Sequence, residues 1–166
     1  MTDAARPDRL IEEYGPAWTP GPFERGTDGP RVILAGIDGS DTALRAGAYA
    51  GGLARRQHSR LVVVYVAAPS LWTAMAATAV AAQEQLFDDQ IRELRRQISE
   101  RATEFAIPTT FLVRRGDAFI ELRDAAVEMR ADMVVVGASE QAGHRLIGSV
   151  AARLVRAGRW PVTVVP

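Results

Sequence analysis

Five short apolar runs along the chain predict β-strands. Each run is rich in β-branched residues, and none keeps a strict alternation of apolar and polar positions. The runs cover residues 32–37, 61–66, 109–113, 133–136 and 162–165. Because strands without such alternation are typical of sheets that are buried on both faces, the pattern predicts a covered sheet.

Segments of helical composition separate the apolar runs. They span residues 41–57, 72–105, 118–130 and 149–157. In the third segment Leu122, Ala125, Ala126 and Met129 recur at helical spacing and form one apolar face, and Asp117 stands where it can cap the helix. Strand and helix therefore alternate, which predicts an α/β fold: a single open, doubly wound five-stranded parallel sheet with helices on both faces.

The two ends of the chain differ in character. Residues 1–30 hold five of the nine prolines and no sustained period, which predicts a flexible N-terminal extension that is dispensable for folding. An alternative is that Tyr14, Trp18 and Phe23 dock on the domain or on a partner. Residues 31–166 are predicted to form one domain of ordinary size.

Small residues and stop signals refine two of the predicted helices. The first helix is rich in small side chains, which predicts that it packs closely against the sheet. These small residues are Ala43, Ala46, Gly47, Ala50 and Gly51. The last helix is predicted to end at a left-handed Gly158, because Pro161 then prevents its continuation.

Composition excludes several functional classes. The chain has no Cys and no Lys and only two His, so thiolate nucleophiles, disulfides, Schiff-base chemistry and His-rich metal sites are not expected. The absence of a disulfide framework leads us to expect a cytoplasmic protein. Twenty Arg balance twenty acidic residues, so no nucleic acid or membrane partner is expected. Residues 61–83 lack charge, but Pro69 and a β-branched start indicate a strand, a loop and a helix rather than a membrane span.

The loop after the fourth predicted strand has the character of a phosphate site. Its sequence, GASEQAGHRLIGS, spans residues 137–149 and leads through three glycines into a helix N-terminus, where backbone N–H groups favour an anion. Arg145, Arg153, Arg156 and Arg159 follow without any acidic residue. The alternative is that Gly148 and Ser149 merely turn the chain and cap the last helix.

Asp38 ends the first strand, where a carboxylate can accept hydrogen bonds from an adenine amino group or a ribose hydroxyl. The alternative is that Asp38 or Ser40 caps the first helix. A hydrolase triad built from Ser139 or Ser149 with His144 and Asp38 is disfavoured, because the loop lacks the second glycine of a nucleophile elbow.

Taken in order along the chain, five segments resemble the universal stress protein family. The resemblance covers residues 31–166 and lies in RVILAGIDGSDTALRAGAYAGGLA, VVVYV, Arg115-Gly116-Asp117, ADMVVVGAS and GSVAARLVRAGRWPVTVVP. It implies an adenine-nucleotide alpha hydrolase-like domain that dimerises. One branch of the family binds ATP through a G-x2-G-x9-G-[ST] loop, and another branch lacks the loop and binds no ATP.

The resemblance also implies a set of binding residues. Asp38 would meet the adenine or ribose, Val66 would contact adenine through its backbone, and Gly116 would let the ligand pass the third loop. Gly137, Gly148 and Ser149 would line the phosphates. The implied ligand is ATP or another adenine nucleotide, accompanied by Mg²⁺; no catalytic residue is implied, and enzymatic activity would at most be slow ATP hydrolysis.

This loop departs from the family pattern in two ways. Glu140 stands in place of the second glycine, and ten residues separate Gly137 from Gly148 where the family has twelve. Because a glutamate near a phosphate chain is unfavourable, we expect AMP or ADP to compete well with ATP.

Two functional hypotheses follow. The first is a non-enzymatic, dimeric stress protein that binds an adenine nucleotide; the second is a nucleotide-free protein of the same fold that acts through its dimer surface and N-terminal extension on partners that the sequence does not identify. An adenylyl-transferring enzyme is a weaker third interpretation, because DGSDT is a poor pyrophosphate loop. The apolar last strand, in residues 161–165, is the expected homodimer edge.

Overall fold

The computed structural model describes residues 29–67, 77–139 and 148–166. Strands and helices alternate through these residues. The strands are β1 (Val32–Ile37), β2 (Arg60–Ala67), β3 (Thr109–Arg115), β4 (Met133–Gly137) and β5 (Val162–Val165). The helices are α1 (Asp41–Gln57), α2 (Ala77–Glu104), α3 (Ala118–Glu128) and α4 (Ser149–Ala157).

All four strand pairs are parallel, and the strand order is β3-β2-β1-β4-β5. The chain first builds outward from β1 to β3 and then returns to the other side of β1 with β4. In this register Ile33 lies opposite Leu61 of β2 and opposite Met133 of β4. The predicted fold class is confirmed, and the order of the strands reverses between β1 and β4.

Each face of the sheet has its own core, which explains why the strands do not alternate. From β1, Ile33, Ala35 and Ile37 pack with α1 and α2, whereas Leu34 packs with α3 and α4 on the other face. Both sides of each inner strand are therefore covered by helices, and the buried positions on both faces are apolar.

Helix α1 approaches the sheet through alanine rather than glycine. Ala43, Ala46, Ala50 and Ala54 are all buried in the first core. Gly47 and Gly51, which the sequence grouped with these alanines, instead lie beside a groove between α1 and α2. The predicted close packing of α1 is therefore confirmed for the alanines, and the two glycines are half-buried, with Ile37 3.7 Å from a Cβ at Gly47 and Leu61 4.0 Å from one at Gly51.

Several helix ends differ from their predicted positions. Helix α3 ends at Glu128 rather than residue 130, because Arg130 takes a left-handed conformation with φ of 53°. Helix α2 ends at Glu104, and the predicted start at Trp72 lies outside the described residues. Gly158 has φ of 61°, so the predicted left-handed end of α4 is confirmed.

Helix α2 exposes a charged surface. Arg92 pairs with Asp89, and Arg96 pairs with Glu93 and Glu100. These exposed pairs at helical spacing form a solvated, ion-paired face. Among the described residues, no helix is both long and apolar enough to cross a membrane.

Candidate functional site

A cavity of about 170 Å³ lies where the strand order reverses, at the carboxyl ends of β1 and β4. This is the position at which open α/β sheets bind ligands. Five of the six residues implied by the resemblance line it: Asp38, Val66, Gly137, Gly148 and Ser149. We call this space the switch-point cavity.

Gly116 is not among the described residues that line this cavity. Its N–H donates to the carbonyl of Ala67 at 3.1 Å, which links the ends of β2 and β3. Its φ is 150°, and a Cβ there would lie 2.8 Å from Glu121 Oε1. The backbone conformation of this turn and the close contact with Glu121 therefore account for a glycine at position 116.

Asp38 and Ser40 organise the N-terminus of α1. Asp38 Oδ1 accepts from the Ser40 N–H at 2.9 Å, and Ser40 Oγ accepts from the Ala43 N–H at 3.3 Å. Ser40 is therefore the N-cap of α1, so the capping alternative is correct for this residue. Asp38 remains exposed, with one carboxylate oxygen tied to the backbone.

Gly137 is a point of contact between β4 and α1. A Cβ at Gly137 would lie 2.6 Å from the carbonyl carbon of Thr42 and 2.7 Å from the Ala43 nitrogen. The buried Thr42 hydroxyl donates to the Ala138 carbonyl at 2.8 Å across the same contact. Gly137 thus lets two backbones touch beside the cavity, in addition to lining it.

Helix α4 begins at the opposite wall of the cavity. Its N-cap is Gly148, so no side chain caps it, and its first turn contains no acidic residue. Ser149, Val150 and Ala151 of this first turn all line the cavity. The N–H groups of a helix's first turn lack partners within the helix and carry partial positive charge, so this wall is suited to an anion.

Arg153 does not contribute a free charge to this wall. Its guanidinium pairs with Asp117 at 2.9 Å and lies 4.2 Å from the Phe119 ring centroid. The hydrogen bond from Arg153, followed by one from the Ile120 N–H, lowers the pKa of the Asp117 carboxyl. Asp117 also caps α3 as predicted, so Arg153 joins α4 to α3 and is not part of the cavity lining.

The residues around Asp38 form a polar cluster on the α2 side. The Tyr65 hydroxyl donates to Gln90 Oε1 at 3.1 Å, and a Cβ at Gly39 would lie 2.6 Å from Gln90 Nε2. Burial, and then the negative charge of Asp38, raise the pKa of Tyr65. Tyr65 therefore remains protonated, and its one hydroxyl proton is donated to Gln90.

A comparison with known protein families identifies the chain. Residues 30–166 match the model of the universal stress protein family. The chain belongs to the universal stress protein family. Its sequence is 26% identical over 143 residues to the Bacillus subtilis universal stress protein YxiE, covering 80% of this chain and 97% of the relative.

Solved structures of universal stress proteins share the fold. A family member from Burkholderia pseudomallei is 28% identical, with a TM-score of 0.65, and the match covers 82% of this chain and 96% of that one. A universal stress protein crystallised in complex with cAMP is 27% identical, with a TM-score of 0.57, and covers 82% and 97% of the two chains.

The described residues of this universal stress protein were compared with the ligand set that a metal ion needs. Within residues 29–67, 77–139 and 148–166, no three His, Asp or Glu side chains come together to hold an ion. The Mg²⁺ implied by the resemblance does not fit a site of protein ligands in these residues. His144, Arg145 and Glu140 lie outside the described residues, as does Ala68.

Sequence analysis missed several parts of the cavity. The hydroxyls of Thr42 and Ser139 line it, and so do Ala118 and Leu122 of α3. Thr42 carried a weak signal, since a hydroxyl residue in the first turn of a helix faces the strand ends in a doubly wound fold. Leu122 was assigned correctly to the apolar face of α3, but nothing in that periodicity indicates that this face also reaches a cavity.

Proposed function

We propose that this universal stress protein binds an adenine nucleotide in the switch-point cavity and places a phosphate at the N-terminus of α4. The observation that carries the proposal is that Asp38 and this helix end, whose glycine N-cap provides no side-chain cap, line the same cavity. A phosphate satisfies the N–H groups at one wall. A carboxylate accepts from an amino or hydroxyl group at the other wall.

A known relative supports a ligand with a short phosphate chain. The relative in complex with cAMP binds a nucleotide with a single phosphate. AMP and ADP are therefore expected to compete well with ATP.

We also propose that the protein acts by binding rather than by catalysis. In the described lining of the cavity, Asp38 is the one ionisable side chain, and its Oδ1 already accepts from Ser40. A general base must reach the proton that it removes. Asp38 instead follows β1, on a different element from α4, which suits recognition of the nucleoside.

Calorimetric titration of the full chain with AMP, ADP, ATP and cAMP tests the proposed site. Gly148→Val should abolish phosphate-dependent binding, because a Cβ at Gly148 already lies 3.1 Å from Ser139 Cβ and a larger side chain closes the gap. Glu140→Gly should shift preference towards ATP by an amount on the order of 1 kcal/mol. Adenosine serves as the control ligand without a phosphate.

Two results would count against this proposal. A parent protein that binds none of the four nucleotides removes the nucleotide function and favours the hypothesis of a nucleotide-free interaction protein. If Gly148→Val weakens adenosine and AMP equally, the phosphate does not lie at α4.

We further propose that the functional unit is a homodimer formed through the β5 edge. The carbonyl of Pro161 accepts from the N–H of Val134 in β4 at 3.0 Å, and the carbonyl of Val165 accepts from the N–H of Ala138, just after β4, at 2.8 Å. Because backbone groups alternate along a strand, those of Val162 and Val164 face away from the sheet. This free edge is able to pair with a second copy.

Val164→Pro tests the edge by removing an outward N–H. Edge strands accept proline where the N–H faces outward, so the fold should survive and the protein should sediment as a monomer. Val164→Arg is a less clean test, since the Val164 side chain packs against the core between the sheet and α3–α4. Val164→Ala keeps the N–H and should stay dimeric; a dimeric Val164→Pro protein would rule out pairing through this edge.

A further inference from the structure

A second and larger open space lies on the opposite face of the sheet from α3 and α4. It is a groove of about 410 Å³ between α1 and α2, with Leu61 and Val63 of β2 in its floor. Leu44 and Phe105 stand at its walls and are 44% and 38% exposed. A groove of this volume falls within the range of spaces that hold ligands, ~300–1,000 Å³.

Three glycines form the α1 wall of the groove, and packing within the described domain does not require them. A Cβ at Gly47 would meet Ile37 at 3.7 Å, one at Gly51 would meet Leu61 at 4.0 Å, and one at Gly52 would meet Arg56 at 3.5 Å. All three distances are ordinary contacts. Glycine inside a helix lowers its stability relative to alanine, so these glycines favour a role outside the fold of the domain, such as close approach of another segment.

Charge complementarity indicates which segment of the chain approaches these glycines. Arg55 and Arg101 line the groove, and the Arg55 guanidinium lies 5.4 Å from the Phe105 ring centroid. Residues 1–28 contain six acidic residues and three arginines, so this segment is net negative. The rest of the chain has three more arginines than acidic residues and is net positive. The N-terminal segment and the groove are therefore complementary in charge.

The N-terminal segment also enters the domain next to the groove. Gly29 lies against the side chain of Gln57, two residues beyond Arg55 on α1, and Ser59 Oγ donates to the Pro30 carbonyl. Trp18 precedes Gly29 by eleven residues, an extended reach of ~36 Å. Helix α1, with 17 residues, is only ~25 Å long.

We propose that residues 10–23 of this chain dock in the groove between α1 and α2. The apolar side chains of Leu10, Ile11, Tyr14, Trp18 and Phe23 would cover the glycine wall, and the acidic residues of the segment would lie near Arg55 and Arg101. The segment covers a groove that the domain already possesses, so the domain is still expected to fold without it.

Because the chain has no cysteine, one introduced thiol labels a single position. A nitroxide on Thr19→Cys in the full chain should broaden the amide NMR signals of Gly47, Gly51 and Ala102, which line the groove. The signals of Val127 and Val155, on the helices of the other face, should keep their intensity.

A pair of matched variants makes the test specific. Leu44→Glu places an acid at the groove and should restore most of the lost intensity; Val127→Glu, on α3 and 49% exposed against 44% for Leu44, should restore none. Equal broadening of both faces, or broadening that Leu44→Glu leaves unchanged, would overturn the proposal. Broadening between a spin-labelled chain and a separate isotope-labelled chain would assign the groove to a second copy and also overturn it.

Discussion

Helices α1 and α4 both begin at the switch-point cavity, but their first turns are built differently. Helix α1 has a serine N-cap whose hydroxyl accepts from the Ala43 N–H, and Asp41 is its first residue. Helix α4 has Gly148 as its N-cap, Ser149 as its first residue, and no side-chain cap. Of the two helix N-termini at this cavity, the N-terminus of α1 is therefore capped by its own serine, and the glycine N-cap of α4 provides no side-chain cap.

The two helix ends also differ in how they are attached. The start of α1 touches β4 backbone to backbone at Gly137, and the Thr42 hydroxyl bonds to the Ala138 carbonyl. The start of α4 approaches the same strand end through the Ser139 side chain, at 3.1 Å from a Cβ on Gly148. We infer that the α1 contact holds the fold together, whereas the α4 contact leaves room for a ligand.

Adding a methyl group at each contact should separate these roles, with the larger effect at α1. Gly137→Ala places a Cβ 2.6 Å from backbone that cannot move independently, and overpacking of this kind costs ~1–3 kcal/mol. The free energy of unfolding should fall by about that amount in urea titrations.

Gly148→Ala is the matched control, since a Cβ there would lie 3.1 Å from the nearest atom, Ser139 Cβ, against 2.6 Å at Gly137. Its free energy of unfolding should stay close to that of the parent. Equal losses in the two alanine variants would mean that α4 is attached as rigidly as α1.

The sequence predicted the fold well because the fold depends on local patterns. Five apolar runs, four helical segments and caps such as Asp117 and Gly158 each act within a few residues. The predicted helix ends were less accurate. Helix α3 ends before the left-handed Arg130, and a left-handed residue does not change the spacing of the apolar residues.

The candidate site was predicted only in part, because its contacts join distant segments. Asp38 and Gly148 were chosen for their positions after strands, and both line the cavity. The contact between Gly137 and Thr42, and the pairing of Arg153 with Asp117, each join residues that are far apart in the chain. No motif spacing encodes either contact. Gly137, which the sequence assigned to phosphate binding, and Arg153, which it assigned to the positive charge after the loop, therefore each have a structural role that the sequence did not predict.

The smaller predicted effect comes from giving α4 the kind of first turn that α1 has. Ser149→Asp adds an acid at the exposed first residue of α4, where it favours the helix but repels a phosphate at the same N–H groups. Affinity for AMP should fall about tenfold, or ~1.4 kcal/mol, while the free energy of unfolding stays constant or rises. Asp41→Ser makes the reverse change at the equivalent residue of α1 and should leave AMP affinity nearly unchanged. Calorimetry on both variants decides between the two helix ends: a gain in AMP affinity on Asp41→Ser as large as the loss on Ser149→Asp would mean that the phosphate lies between α1 and α4 rather than at α4.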